Sequence, residues 1–114
     1  MHELGIASDL LEIAIAEAQK HGGRRITAVS LQVGVLRGVV PEHLLFLFGH
    51  VATGTIAEGA RLEFEEEPVR IECDACGPSE AREFSLECPS CGRPCGGVKG
   101  GDSLRITSID IDAD

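Results

Sequence analysis

Between Leu4 and His21 apolar residues return every three or four positions, at Leu4, Ala7, Leu11, Ala14, Ile15 and Ala18, while Asp9, Glu12, Glu17 and Lys20 take the other side. That spacing predicts an amphipathic helix, which Gly22-Gly23 stops. From Ile26 to Val35 the period changes to two: Val29, Leu31, Val33 and Val35 share one face, and Ala28, Ser30 and Gln32 the other. This is the pattern of a strand with one buried side. Gly34 and Gly38 bracket its exit. Pro41 then suits the first turn of a second helix with Leu44, Leu45, Phe48 and Ala52 on one face, closed by Thr53-Gly54. A second strand from Arg61 to Glu67 buries Leu62 and Phe64, turns Glu63 and Glu65 to water and ends at Pro68. Strand, helix and strand in this order make a crossover unit, so the two strands should run parallel.

After Pro68 the pattern fades. Between Cys73 and Gly101 there is little apolar sequence, with many Gly and Pro and every cysteine of the chain, so this stretch needs a metal to hold it. A third strand follows over Leu104–Asp112, where the apolar phase moves from Leu104 and Ile106 to Ile109 and Ile111, which suggests a bulge near Thr107-Ser108. The expected fold class is α+β, a small mixed α/β domain: a three-stranded mixed sheet with two helices on one face, plus an inserted cysteine-rich zinc subdomain. The expected domains are 1–68 with 102–114, and the insert 69–101.

Charge narrows the functions available. The 114 residues carry 10 Lys and Arg against 19 Asp and Glu, a formal net charge of −9, and apart from Arg24-Arg25 no basic run stands out. Nucleic-acid backbones and anionic membrane surfaces would be repelled, so neither is an expected partner. The first twenty residues include Glu3, Asp9, Glu12 and Glu17 and read as neither a signal peptide nor a membrane span. Five cysteines without an export signal point to metal ligation in a reducing cytoplasm.

Four of them have a specific arrangement. Cys73-Asp74-Ala75-Cys76-Gly77 and Cys88-Pro89-Ser90-Cys91-Gly92 are two CxxCG knuckles. Each pair brings two thiolates within reach of one ion, and the Gly that follows can take the positive φ that turns backbone N–H groups toward sulfur. Four sulfurs close a tetrahedral shell around Zn(II) with no open position, so Cys73, Cys76, Cys88 and Cys91 are expected to hold structural rather than catalytic zinc. Cys95 is left over as a free thiol.

The other candidate metal site is the chain start. In Met1-His2-Glu3 the α-amine, the amide nitrogens that follow and the His2 ring can close small chelate rings around one ion, and nitrogen donors near a plane suit Ni(II) or Cu(II) better than tetrahedral Zn(II). The large His2 should hinder removal of the initiator Met, leaving the Met1 amine free. That amine, with an ordinary pKa of about 7.7–8.0, must lose its proton to bind, so affinity should fall with acid. His21 at a helix end and His43 and His50 on the second helix read as surface groups, as do Glu42, Glu58 and the run Glu65-Glu66-Glu67. No nucleophile-and-base arrangement or phosphate-cradling loop occurs, so the chain is not expected to be an enzyme.

Met1-His2-Glu3-Leu4, Gly38-Val39-Val40-Pro41-Glu42 before the second helix, Gly59-Ala60-Arg61-Leu62 at the second strand and the two CxxC pairs together resemble the HypA/HybF family of hydrogenase maturation proteins. The resemblance covers nearly the full length. It implies a nickel metallochaperone that binds Ni(II) at its N-terminus and delivers it for maturation of [NiFe]-hydrogenase. The implied partners are a HypB-type GTPase and the hydrogenase large subunit. By the same resemblance His2 is the essential nickel ligand, Glu3 contributes to the nickel site beside Met1, and the four paired cysteines bind zinc. The receiving enzyme stays open between hydrogenase and urease. A separable insert also allows a homodimer by exchange of elements. Two competing readings are a zinc-ribbon protein-interaction adaptor without metal delivery, and a thiol redox protein that would need a reducible disulfide.

Overall fold

The first helix, α1, runs over His2–Lys20 in a computed structural model that describes residues 2–113, without the side chain of His2. The expectation for the Met1 amine and the His2 ring lies outside the described residues. The buried side of α1 is Glu3, Ala7, Leu10, Leu11, Ala14 and Ala18, the three-and-four spacing of one helix face. Leu4, expected on that face, is instead 43% exposed, and Glu3 takes its place at 6%. The face is set by the long run from Ala7 to Ala18, which one helical turn further back meets position 3. Gly22 ends the helix at φ 72. Its N–H donates to the Gln19 carbonyl at 3.2 Å and that of Gly23 to the Ala18 carbonyl at 2.8 Å, so two last-turn carbonyls are satisfied in a Schellman arrangement that needs a left-handed residue.

The second helix, α2, spans Pro41–Ala52 with its proline in the first turn and buries Leu44, Phe48 and Ala52. Successive steps of four keep these three on one stripe, which packs on α1. Leu45 was expected there too but is exposed, because it sits one position around the helix from Leu44.

Between the helices lies β1, Arg25–Gly34, the centre of a three-stranded sheet ordered β2-β1-β6, with β2 at Arg61–Glu67 and β6 at Leu104–Asp112. The Arg24 N–H donates to the Asp112 carbonyl and the Gly34 N–H to the Ser103 carbonyl, so numbers fall along β6 as they rise along β1 and the pair is antiparallel. Arg25 lies beside Gly59 and the Ser30 hydroxyl donates to Glu63, so β1 and β2 rise together and are parallel. A helical crossover through α2 permits that pairing. The sheet is therefore mixed, in a fold of two helices and two small sheets. Ala28 departs from expectation: it is only 1% exposed, and buried Val29 follows it, so the alternation of β1 slips one place there. In β6 Thr107 and Ser108 are consecutively exposed. Val35 lies beyond the strand, in a short 3-10 turn over Val35–Arg37.

The second sheet was not expected. β3 (Val69–Cys73), β4 (Gly77–Ala81) and β5 (Gly97–Gly100) form an antiparallel set ordered β4-β3-β5. Val69, Ile71 and Cys73 alternate inward along β3 and are all buried. The chain divides into two compact units, one of Met1–Leu31, Val39–Glu65 and Arg105–Asp114, the other of Gln32–Gly38 and Glu66–Leu104.

Candidate metal centre

Each knuckle is positioned by a different device. Cys73 ends β3 and Gly77 opens β4, with Cys73 opposite Gly77 in the ladder, so the first CxxC is the turn of a hairpin. Gly77 takes φ 82, the left-handed conformation that such a tight reversal requires and that glycine adopts without a Cβ clash. The second knuckle is closed by a single antiparallel bridge between Glu87 and Pro94 and by local bonds. The Gly92 N–H donates to the Cys88 carbonyl and the Cys88 N–H to the Arg93 carbonyl, both at 2.8 Å. The Ser90 N–H points at the Cys88 sulfur at 3.4 Å, the inward-turned amide expected of a metal knuckle.

The sulfurs of Cys73, Cys76, Cys88 and Cys91 lie within 4.8 Å of one another, Cys73 and Cys88 buried and the other two exposed. Cys73 and Cys91 Sγ, from opposite knuckles, are 3.7 Å apart. A tetrahedral ion with bonds of about 2.3 Å needs sulfurs roughly 3.8 Å apart, so this donor set fits zinc and leaves no coordination position for a substrate.

Proton affinities in the cluster differ accordingly. The neighbouring sulfurs, Cys91 first and then Cys88, push Cys76 up to about 12, since its thiol proton is shared among them. Cys88 is lowered to about 7, chiefly by backbone N–H groups of Cys91 and Ser90 that favour its thiolate. For Cys91 the Arg93 backbone N–H favours the thiolate, yet desolvation and the Cys73 and Cys88 sulfurs outweigh it and leave the thiol raised. Four thiolates cannot share so small a space without a cation to compensate them.

The remaining candidates are dispersed. Cys95 stays outside the group of four, its N–H on the Leu86 carbonyl at 2.9 Å and its sulfur 3.8 Å from the Ser85 carbonyl. His21, just past the end of α1, meets Glu17 of that helix at 3.3 Å. His43 and His50 are exposed on α2, and among the described residues only the four cysteines gather as a metal-holding group. Glu58 accepts the Gly54 N–H at 2.8 Å and closes a turn, while Glu66 pairs with Arg82. Glu67, read from the sequence as a solvated carboxylate, is half-buried and accepts the N–H groups of Gly101 at 2.9 Å and Ser103 at 3.1 Å. Its place just before Pro68, where the strand pattern breaks, was the available signal. Glu3 is the larger surprise: a buried carboxylate in the first turn of α1.

Two helices, two small sheets and a closed tetrathiolate cluster define a small α+β protein built around a structural zinc site. A family model described as hydrogenase/urease nickel incorporation, metallochaperone, HypA matches residues 1–111. A hydrogenase maturation factor HypA from Roseiflexus sp. is 41% identical over 118 residues, covering 100% of this chain and 94% of that one. Another from Chlorobaculum tepidum is 40% identical over 113 residues, covering 98% of this chain and 100% of its own. In fold, the solution structure of the Ni metallochaperone HypA from Helicobacter pylori is similar with a TM-score of 0.67 at 19% identity over 98% of each chain. The chain belongs to the HypA family of nickel-incorporation metallochaperones for hydrogenase maturation. Nickel and structural zinc are the metals of this family, and the four-cysteine cluster fits the zinc.

Proposed function

We propose that this protein captures Ni(II) at its N-terminus, through the Met1 amine and His2, and hands it on for insertion into [NiFe]-hydrogenase. The observation that carries the reading is that α1 begins at His2, in a chain matched by the nickel-incorporation family from residue 1. The candidate chelate is therefore attached to a packed helix, and a metal held at a chain end can be dismantled donor by donor when a receiving site supplies new ones. Cys73, Cys76, Cys88 and Cys91 hold zinc that maintains the insert, and neither metal performs catalysis. The partners are a HypB-type GTPase and the hydrogenase large subunit, met in the cytoplasm. No helix among the described residues is long and apolar enough to cross a membrane.

The test is metal titration of untagged protein, wild type against His2→Ala, with zinc measured in both. Loss of nickel with zinc retained is the expected result. Nickel binding undiminished in His2→Ala, with partner binding intact, would favour the zinc-ribbon adaptor instead.

A further inference from the structure

Lys20, Arg61, Arg82 and Lys99 each face a glutamate. Arg24 and Arg25 do not: in a chain with 19 Asp and Glu, neither guanidinium meets a carboxylate among the described residues. Both side chains are exposed where β1 begins. With Thr55, Ile56, Glu58 and Gly59 they line a cavity of about 370 Å³. The wall opposite the arginines is a turn whose polar groups are already engaged. The Ile26 N–H donates to the Ile56 carbonyl at 2.9 Å and ties the turn to β1. The Thr55 hydroxyl donates to the Ala52 carbonyl at 2.7 Å and accepts the Ala57 N–H at 3.1 Å. The Glu58 carboxylate accepts the Gly54 N–H at 2.8 Å. Gly59, at φ 80, presents bare backbone, and a guanidinium nitrogen of Arg25 lies 3.7 Å from where its Cβ would stand. Two neighbouring guanidinium groups over a fixed floor offer parallel N–H donors, the geometry that matches the two oxygens of a carboxylate.

We infer that the cavity beside Arg24 and Arg25 is a docking site for a carboxylate side chain on an acidic segment of a partner protein. A carboxylate suits it better than a phosphate group because it carries a single charge. A dianion would meet both the Glu58 carboxylate in the wall and the net charge of −9, and no phosphate-cradling loop lies beside the arginines to offset them. The pair is the one basic spot in an acidic chain, so it fixes where such a segment settles more than it draws the partner from a distance. The site stands apart from nickel capture and does not depend on it.

The experiment follows the arginine Nε–Hε signals and the Gly59 amide by nuclear magnetic resonance in the zinc-loaded full chain. The probe is a capped tetrapeptide of alternating glycine and glutamate, run beside its glutamine analogue and inorganic phosphate. The glutamate peptide should give saturable shifts at Arg24, Arg25 and Gly59 that weaken as salt is raised, and the glutamine analogue should give none. Arg25→Gln should lower the affinity about fivefold, and Arg24→Gln combined with Arg25→Gln should abolish the shift at Gly59. Both side chains are exposed, so zinc content and the circular dichroism spectrum should stay as in the parent chain. Equal shifts with the glutamine analogue would overturn the inference, since the carboxylate would not be what is recognised. Saturation by phosphate with no response to the glutamate peptide would overturn it too, as would undiminished binding in the double variant.

Discussion

Four sulfur atoms within 4.8 Å set the chemistry of the insert at the scale of single residues. Metal binding requires deprotonated sulfur, and protons compete with the ion. Cys76, pushed up to about 12, and Cys91, also raised, must each surrender a proton on loading, whereas Cys88 at about 7 is already partly thiolate near neutrality. Binding therefore releases protons, and lowering the pH weakens it. Zinc affinity measured against a chromophoric chelator should fall between about pH 8 and pH 6 more steeply than for one released proton; a flat profile would contradict four thiolate ligands. Serine at Cys73 or Cys88 should remove most bound zinc and the hydrogen-exchange protection of β3, while leaving α1 and α2 protected. The gathering of Cys73, Cys76, Cys88 and Cys91 was legible in sequence because the CxxCG spacing acts locally. The exchange of Leu4 for Glu3 was not, because the apolar Leu4 drew the reading away from the phase that the run from Ala7 to Ala18 sets, which places a charged residue inside.

Among the elements, α2 tests how packing rather than composition decides stability. Phe48 is 1% exposed and Phe46, two positions away, is 75% exposed. Truncating the first to alanine should cost about 3–5 kcal/mol by urea unfolding, and the second less than about 0.5 kcal/mol. Equal costs would mean that α2 presents another face. Periodicity identified α1, α2, β1, β2 and β6 because each has an apolar period of its own. It failed at Leu45 and Ala28, where two adjacent apolar residues allow two phases. β4 and β5 are made largely of Gly, Pro, Ser and charged residues, which carry little strand preference. They are strands through pairing with β3, a long-range outcome that composition does not encode. The alternation of Val69, Ile71 and Cys73 was the readable part, hidden behind Pro68.

For the whole molecule, the two metals of the family call for different coordination. The four-cysteine cluster that fits zinc lies in the unit that includes Glu66–Leu104. The nickel site proposed above lies at the chain start, where α1 begins, in the other unit. The net charge of −9 favours partners with basic surfaces and disfavours nucleic acid. The most direct measurement of the central claim is calorimetric nickel titration of the protein with a single glycine added ahead of Met1, beside the unextended chain. The extension turns the terminal amine into an amide and enlarges the chelate, so tight nickel binding should disappear while zinc content and the helical spectrum stay as they are. Equal nickel affinity in the two proteins would contradict the account.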